Sequence, residues 1–236
     1  MYRKKNPVTI TLNNDTAYLA GVIAGDGHIS ASYKSCDKRF KDYKINIDIS
    51  DKEYLRRIFE IIKTIIPTKT SLTIPRQRGN RIQRLSMALR NKELFLFFTE
   101  TLGIPSGKKS QIVKVPELIL NSDIELQKQF LAGYFDTDGG FRGGTLGFTT
   151  ASHNMQKDVS KLLDELKIRY SLEKWFNKKY SKTYYGIRLK KSEIDNFLNI
   201  LPLRNFEKLE RISCRFFMRE YQSGQMGQIL HSKHMK

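Results

Sequence analysis

The sequence is poor in cysteine, tryptophan and acidic residues, and it has no long hydrophobic run. Its two cysteines, Cys36 and Cys214, are far apart and lack a CxxC spacing, which argues against a zinc site or a disulfide framework and favours a reducing, intracellular setting. No apolar run approaches the ~20 residues of a membrane-spanning helix, so no membrane role is expected. The first residues, 1–5, lack the apolar core of a signal peptide. We therefore expect a protein of the cytoplasm or of an organelle.

Acidic residues are outnumbered by basic ones, 24 against 42, which gives a formal net charge of +18. Such an excess predicts a polyanionic partner and makes nucleic acid the first candidate. The 14 phenylalanines and 11 tyrosines argue for a folded protein and against disorder. A chain of 236 residues is long enough for one large domain or for two smaller ones.

Two segments of ten residues are versions of one another. Residues 18–27 read YLAGVIAGDG, and residues 130–139 read FLAGYFDTDG. Each is predicted to be a helix of small and apolar residues that delivers an aspartate, Asp26 or Asp138, at its end. An isolated Asp-Gly pair would indicate an ordinary turn, but the duplication at nearly half the chain length in so basic a chain favours a shared functional site.

Small residues recur four positions apart in both copies. Gly21 and Gly25 lie on one face of the first helix, as do Gly133 and Thr137 on the second. Small residues at this spacing allow two helix backbones to approach closely. Pairing of the two helices would bring the two aspartates to the same end of a shared axis.

Two carboxylates brought together repel each other unless a cation lies between them. A hard divalent cation with oxygen ligands fits this need, and Mg²⁺ is the usual choice beside phosphate. The backbone carbonyls of Gly25 and Thr137 could complete the inner shell. The sequence therefore predicts a metal site held by one aspartate from each half.

The periodicity of apolar residues predicts the same order of elements, αββαββα, in both halves. The motif helices are expected at residues 14–25 and 126–137. Further helices are predicted at about residues 51–65, 92–102, 154–166, 193–201 and 206–221. Hairpin strands are predicted at residues 28–34 and 43–50 with a charged loop at 35–42, at 71–76 and 81–89, at 140–150, and at 170–176 and 183–190. We expect halves at residues 1–112 and 113–221, followed by a polar tail at 222–236.

The paired segments resemble the double signature of the LAGLIDADG homing endonucleases, in the single-chain form with two motifs. The eighth motif position is aspartate in both copies, and the sixth is Ala24 in the first copy and Asp136 in the second. The resemblance extends from about residue 14 to 221. It implies an α+β fold in which two pseudo-symmetric αββαββα halves, each with a curved, antiparallel four-stranded sheet, are joined through the motif helices of a monomer.

The same resemblance implies hydrolysis of one phosphodiester on each strand of a long, asymmetric double-stranded DNA target, in support of intron or intein mobility. Asp26 and Asp138 would hold Mg²⁺; Mn²⁺ would substitute, whereas Ca²⁺ would bind without supporting efficient cleavage. A lysine from each half would stabilise the developing charge. The matching lysines are Lys109, with Lys108 as a rival, and Lys208.

A polar residue just after the second strand of each half would organise the attacking water in such an enzyme. Asp51 and Ser152 occupy that place in the sequence. Because the two residues differ, the resemblance allows unequal activity on the two DNA strands.

Antiparallel strands can enter the major groove, where base edges carry a full recognition code. The predicted DNA-contacting residues are polar side chains on the outward faces of the hairpins. In the first half they are His28, Ser30, Ser32, Lys34, Lys44, Asn46, Asp48, Arg76, Arg78, Arg81 and Gln83. In the second half they are Arg142, Thr145, Thr149, Lys174, Asn177, Arg188 and Lys190.

Three other functions remain open from the sequence. An intron maturase would use the same fold to bind intron RNA. A DNA-binding protein without cleavage would use the same scaffold, although both acidic motif positions are present here. A domain released from an intein is less expected, because no splicing-type Cys or Ser junction with a terminal His-Asn is found.

Overall fold

The computed structural model describes residues 9–34, 37–66, 71–73 and 85–223. The helices are α1 Asn14–Gly25, α2 Lys52–Ile65, α3 Lys92–Leu96, α4 Glu117–Leu120, α5 Ile124–Asp138, α6 His153–Glu165, α7 Ile194–Ile200 and α8 Phe206–Ser223. The strands are β1 Gly27–Lys34, β2 Asp37–Ile49, β3 Ser71–Thr73, β4 Leu85–Leu89, β5 Gly139–Arg142, β6 Thr145–Thr150, β7 Tyr170–Asn177 and β8 Lys182–Leu189. No helix within these residues is long and apolar enough to span a membrane.

The strands form two antiparallel sheets of four strands, in the orders β1-β2-β4-β3 and β5-β6-β8-β7. One face of each sheet carries alternate apolar residues that are buried under helices, such as Ile29 and Ile45 in the first sheet and Phe148 and Ile187 in the second. The predicted α+β fold with two antiparallel sheets is thus confirmed. The boundary between residues 112 and 113 stays a prediction.

Each motif helix begins at a capping residue. Asn13 caps α1, since its side chain accepts a hydrogen bond from the backbone N–H of Thr16 while the Thr16 hydroxyl accepts one from the backbone of Asn13. Asp123 caps α5, and its side chain accepts hydrogen bonds from the backbone N–H groups of Glu125 and Leu126. Both helices are buried over most of their length, because they pack on each other and on the strands that follow them.

Two sequence predictions need correction. The loop expected at residues 35–42 is wrong from Asp37 onward, because β2 begins there and pairs with β1; backbone groups make the ladder, so charged side chains do not prevent it. The helix expected over residues 92–102 continues past α3 as a π-helix, Phe97–Thr101, where the Thr99 hydroxyl donates to the carbonyl of Phe95.

Candidate functional site

The two motif helices touch backbone to backbone where each carries its middle glycine. A Cβ built on Gly21 would lie 2.1 Å from the carbonyl oxygen of Phe130, and one built on Gly133 would lie 2.1 Å from that of Tyr18. No side chain fits at either position. The predicted close approach of α1 and α5 is therefore confirmed, and it follows from the absence of a Cβ on both sides of the contact.

The same packing brings the carboxyl-bearing ends of the two helices together. A Cβ on Gly25 would lie 2.1 Å from Thr137 Oγ1 and 3.4 Å from the carboxyl carbon of Asp138. Asp138 thus lies beside the end of α1, where Asp26 forms the C-cap. Both aspartates remain open to solvent at this end.

The electrostatics of the pair show that the two carboxyl groups influence each other. Partial burial raises the pKa of Asp138 to about 6, and the negative charge of Asp26 is the second cause. Among the described residues there is no group of three or more His, Cys, Asp or Glu side chains that could hold a metal ion. The donors at this place are therefore two carboxylates and backbone carbonyls, an all-oxygen set that suits a hard cation such as Mg²⁺.

Lys109 reaches the end of α1 from the segment that connects the π-helix Phe97–Thr101 to α4. Its Nζ donates hydrogen bonds of 2.5 and 2.8 Å to the carbonyl oxygens of Ala24 and Gly25. Burial lowers the pKa of Lys109, while the charges of Asp138 and Asp26 act in the opposite direction. Its neighbour Lys108 is exposed, whereas Lys109 is buried and held at the end of α1 that carries Asp26.

Lys208 occupies the corresponding place in the second half. From the first turn of α8, its Nζ donates hydrogen bonds of 2.8 to 3.0 Å to the carbonyls of Phe135, Thr137 and Gly139. Burial lowers the pKa of Lys208 to about 8, with the nearby carboxylates opposing the shift. An ammonium group therefore sits on the negative end of each motif helix, where the helix dipole favours it.

The carbonyls of Gly25 and Thr137, predicted as metal ligands, thus already accept a hydrogen bond from a lysine. A carbonyl oxygen has two lone pairs, so each can serve a second partner. Their role toward a metal stays a prediction.

Asp51 and Ser152, predicted to organise the attacking water, each lie at the start of a helix. Asp51 caps α2 by accepting from the N–H groups of Glu53 and Tyr54. Ser152 caps α6, and its hydroxyl also donates to the carbonyl of Val113, with no side-chain exposure to solvent. Both side chains therefore cap a helix, and their role toward an attacking water stays a prediction.

The predicted DNA-facing residues of the first half share one face of their sheet. The strand register pairs His28 with Asn46 and Ser30 with Lys44, on the side opposite the buried isoleucines. Ser32 and Asp48 follow the same alternation. Lys34 ends β1, and its side chain is not among those described. Arg76, Arg78, Arg81 and Gln83 lie outside the described residues.

In the second half the predicted set divides. Arg142, Thr149, Arg188 and Asn177 share the outward face, and Lys190 follows β8 at an exposed position. Lys174 does not share this face, because it pairs with Tyr185, two residues from Ile187 of the core; a strand reverses its facing at each residue, and the prediction took the wrong parity. The Thr145 side chain is buried and donates to the carbonyl of Leu189, so it is withheld from a ligand.

A buried cluster behind the aspartates was missed from the sequence. Asp136 accepts from the hydroxyl of Tyr18 at 2.6 Å and from the N–H groups of Arg204 and Asn205 at 2.7 and 3.2 Å. Asn205 in turn accepts from the N–H of Lys208 at 3.0 Å. The one available signal was the difference between Ala24 and Asp136 at the sixth motif position.

A family model described as LAGLIDADG-like domain matches residues 125–209. Among solved structures, the homing endonuclease I-DmoI in complex with DNA and Mn is similar at a TM-score of 0.63 and 16% identity, covering 82% of this chain and 99% of that one. The N-terminal LAGLIDADG domain of DUF199/WhiA is similar at a TM-score of 0.53 and 15% identity, covering 88% and 90%. At these identities the likeness shows the fold.

Two of the curated relatives are differently named proteins. The replication factor C small subunit of Methanocaldococcus jannaschii is 27% identical over 85% of this chain. The ribonucleoside-diphosphate reductase NrdEB subunit alpha of Bacillus subtilis is 27% identical over 63% of it. The chain spans only 10% and 14% of the length of these two proteins.

Proposed function

We propose that this chain, which has the fold of the single-chain homing endonuclease I-DmoI and a LAGLIDADG-like domain match over residues 125–209, is a site-specific endonuclease that makes a divalent-metal-dependent double-strand break in a long, asymmetric DNA target. The observation that carries the proposal is the meeting of Asp26 and Asp138 at the paired ends of the duplicated helices. A purely structural Asp-Gly turn would need neither the second carboxylate nor the two flanking lysines.

We propose that Asp26 and Asp138 hold the metal, with the carbonyls of Gly25 and Thr137 as further oxygen donors; the all-oxygen donor set supports this proposal. A bound divalent cation such as Mg²⁺ would supply a Lewis acid and an activated water for attack on phosphorus. We propose that Mn²⁺ substitutes for Mg²⁺; the similar structure of I-DmoI is a complex with DNA and Mn.

The lysines support the same chemistry from the protein side. The ammonium groups of Lys109 and Lys208 are fixed by two and three carbonyl oxygens beside the two aspartates. Positive charge held in place near the reacting phosphate stabilises the negative charge that develops there, and it needs no reorganisation during the reaction. We propose one lysine for each DNA strand.

The outward sheet faces support a long duplex as substrate. Two four-stranded sheets that follow the major groove would cover about two turns of duplex, or roughly 20 base pairs. The outward residues of the two sheets differ at corresponding places, such as His28 and Gly140, so the target is expected to be asymmetric. The net charge of +18 would make binding strongly dependent on salt.

The curated relatives support a mobile origin. Similar segments are found in a replication factor and in a reductase subunit, two proteins of unrelated function from an archaeon and a bacterium, and they fill a small part of each. A segment shared by unrelated hosts behaves as a portable module. We propose on this basis that the endonuclease promotes the mobility of an intron or an intein, and that it acts as a monomer inside the cell.

The test is cleavage of a randomised duplex library by the purified chain with Mg²⁺, with Mn²⁺, with Ca²⁺ and with EDTA. We expect recovery of one asymmetric target cut on both strands with Mg²⁺ or Mn²⁺, little cleavage with Ca²⁺ and none with EDTA. Binding of duplex without cleavage under all four conditions would favour a non-cleaving DNA-binding protein. Preferential binding of an intron transcript over duplex DNA would favour a maturase.

A further inference from the structure

Glu173 is the one acidic residue in the four strands of the second sheet, which also carry Arg142, Lys174, Lys182 and Arg188. Its register places it on the outward face, since it pairs with Gly186 beside Thr149, opposite in facing to the buried Phe148 and Ile187. A carboxylate on a surface that meets phosphate costs electrostatic repulsion. We therefore expect the Glu173 carboxylate to contribute something on this face that offsets the repulsion.

Glu173 lies between two arginines on this face. Its Oε2 is 3.1 Å from Nε of Arg142, and its Oε1 is 2.7 Å from a terminal nitrogen of Arg188. Each carboxylate oxygen therefore holds one guanidinium group. The two arginines are separate in sequence, on β5 and β8, and a single side chain of β7 joins them.

Arg142 is held at three places. Besides its contact with Glu173, its Nη1 donates to the hydroxyl of Thr149 at 2.6 Å, and its guanidinium carbon lies 4.1 Å from the ring centre of Trp175. Trp175 is itself stacked on Tyr184, with ring centres 5.8 Å apart. An arginine fixed by two hydrogen-bond acceptors and an aromatic plane has lost most of its rotamer freedom before any ligand arrives.

Arg188 is held against the turn between β5 and β6. A Cβ built on Gly143, which has a φ of +52°, would lie 2.7 Å from Nη2 of Arg188. Only a glycine therefore leaves room for this guanidinium group. Its Nε is buried and has no hydrogen-bond partner among the described residues.

We propose that Glu173 determines DNA specificity by holding Arg142 and Arg188 for guanine edges and keeping both from the phosphate backbone; this rests on the proposed function. A free arginine reaches any phosphate, which adds affinity without information and increases the dependence on salt. A fixed guanidinium group can read the O6 and N7 atoms of guanine as a pair. Glu173 thereby lowers the affinity of the protein for duplex of any sequence and increases its discrimination between bases.

The experiment compares the full chain with its Glu173→Gln and Glu60→Gln variants. Glu60 forms an exposed ion pair with Lys63 on α2, so its substitution makes the same charge change away from the sheet face. Two readouts are taken: affinity for one labelled 30-base-pair duplex of arbitrary sequence over a series of KCl concentrations, and the base preferences of duplexes selected from a randomised library. Thermal melting checks that each variant is folded.

We expect Glu173→Gln to bind the arbitrary duplex several-fold more tightly, with a salt slope steeper by about one to two, and to select duplexes with weaker preference at several guanines. The double variant Glu173→Gln/Arg188→Gln should have a salt slope less steep than that of Glu173→Gln and closer to that of wild type. Glu60→Gln should match wild type in both readouts. These results together would support the inference.

Two results would overturn it. In the first, Glu173→Gln matches wild type both in its affinity for the arbitrary duplex and in its base preferences. This result would show that the ion pairs do not affect DNA binding. Loss of preference at a single cytosine with unchanged non-specific affinity would show that Glu173 reads that base directly. In both cases DNA binding by wild type leaves the proposed function intact. Failure of wild type to bind any duplex would remove the proposed function and the inference with it.

Discussion

Tyr18 of the first motif helix donates a hydrogen bond of 2.6 Å to Asp136 of the second, so the two halves are joined by buried polar side chains as well as by glycine packing. The Tyr18 hydroxyl also lies 3.0 Å from that of Tyr54; because its single proton is donated to Asp136, it accepts a hydrogen bond from Tyr54. Burial raises the pKa of both tyrosines, so both stay protonated as hydrogen-bond donors. Asp136 links this interface to the segment that begins α8 and carries Lys208.

Replacement of Asp136 by alanine is expected to lower the free energy of unfolding by about 3 kcal/mol. The substitution leaves the Tyr18 hydroxyl and the N–H groups of Arg204 and Asn205 without their acceptor, and each buried unsatisfied group costs ~1–3 kcal/mol. Asp136→Asn retains one oxygen acceptor and is the matched control with a smaller loss. Urea unfolding measures both, and equal stabilities of the two variants would contradict the network.

The glycine contact between the motif helices predicts a strong effect from a single methyl group. Gly21→Ala and Gly133→Ala each place a Cβ 2.1 Å from a backbone oxygen of the other helix, and overpacking of this kind costs about 3 kcal/mol or more. A loss of roughly 6–12 °C in Tm follows for a chain of this size. Gly140→Ala is the control, because nothing lies within 4 Å of its Cβ, and its Tm should stay near that of wild type. Tm values of the first two variants equal to that of the control would refute the packing.

The two buried lysines are expected to act on cleavage more than on DNA binding. Lys109→Met and Lys208→Met remove the ammonium groups beside the aspartates, and loss of one preorganised charge typically slows a reaction by ~100-fold or more. Strand-resolved cleavage of the selected target measures the effect, and the two variants should differ in the strand they slow. Lys108→Met, at the exposed neighbour, should cleave at the wild-type rate. A rate loss in Lys108→Met equal to that in Lys109→Met would contradict the assignment.

Much of the site could be predicted because its signals are local or duplicated. The helix-end aspartates, Gly21 and Gly133 follow from a repeat visible in the sequence, and the period of two assigns His28 and Asn46 to one face. For the lysine of the first half, the sequence limits the candidates to Lys108 and Lys109. The preference for Lys109 depends on its burial, which only the fold supplies.

The features that were missed depend on contacts distant in sequence. Asp136 meets Arg204 across 68 residues, and Glu173 meets Arg142 across 31. No local pattern encodes such partners. The capping roles of Asp51 and Ser152 are visible in the sequence as N-cap chemistry before each helix, whereas their role toward a water rests on the resemblance alone.

The central claim is that one carboxylate from each half serves a single metal site. Its most direct test is strand-resolved cleavage of the selected duplex, with Mg²⁺, by wild type, Asp26→Asn and Asp138→Asn, with binding of the same duplex measured in parallel. The account predicts that each variant binds the duplex within a few-fold of wild type and makes no double-strand break. A double-strand break at the wild-type rate in either variant would contradict it.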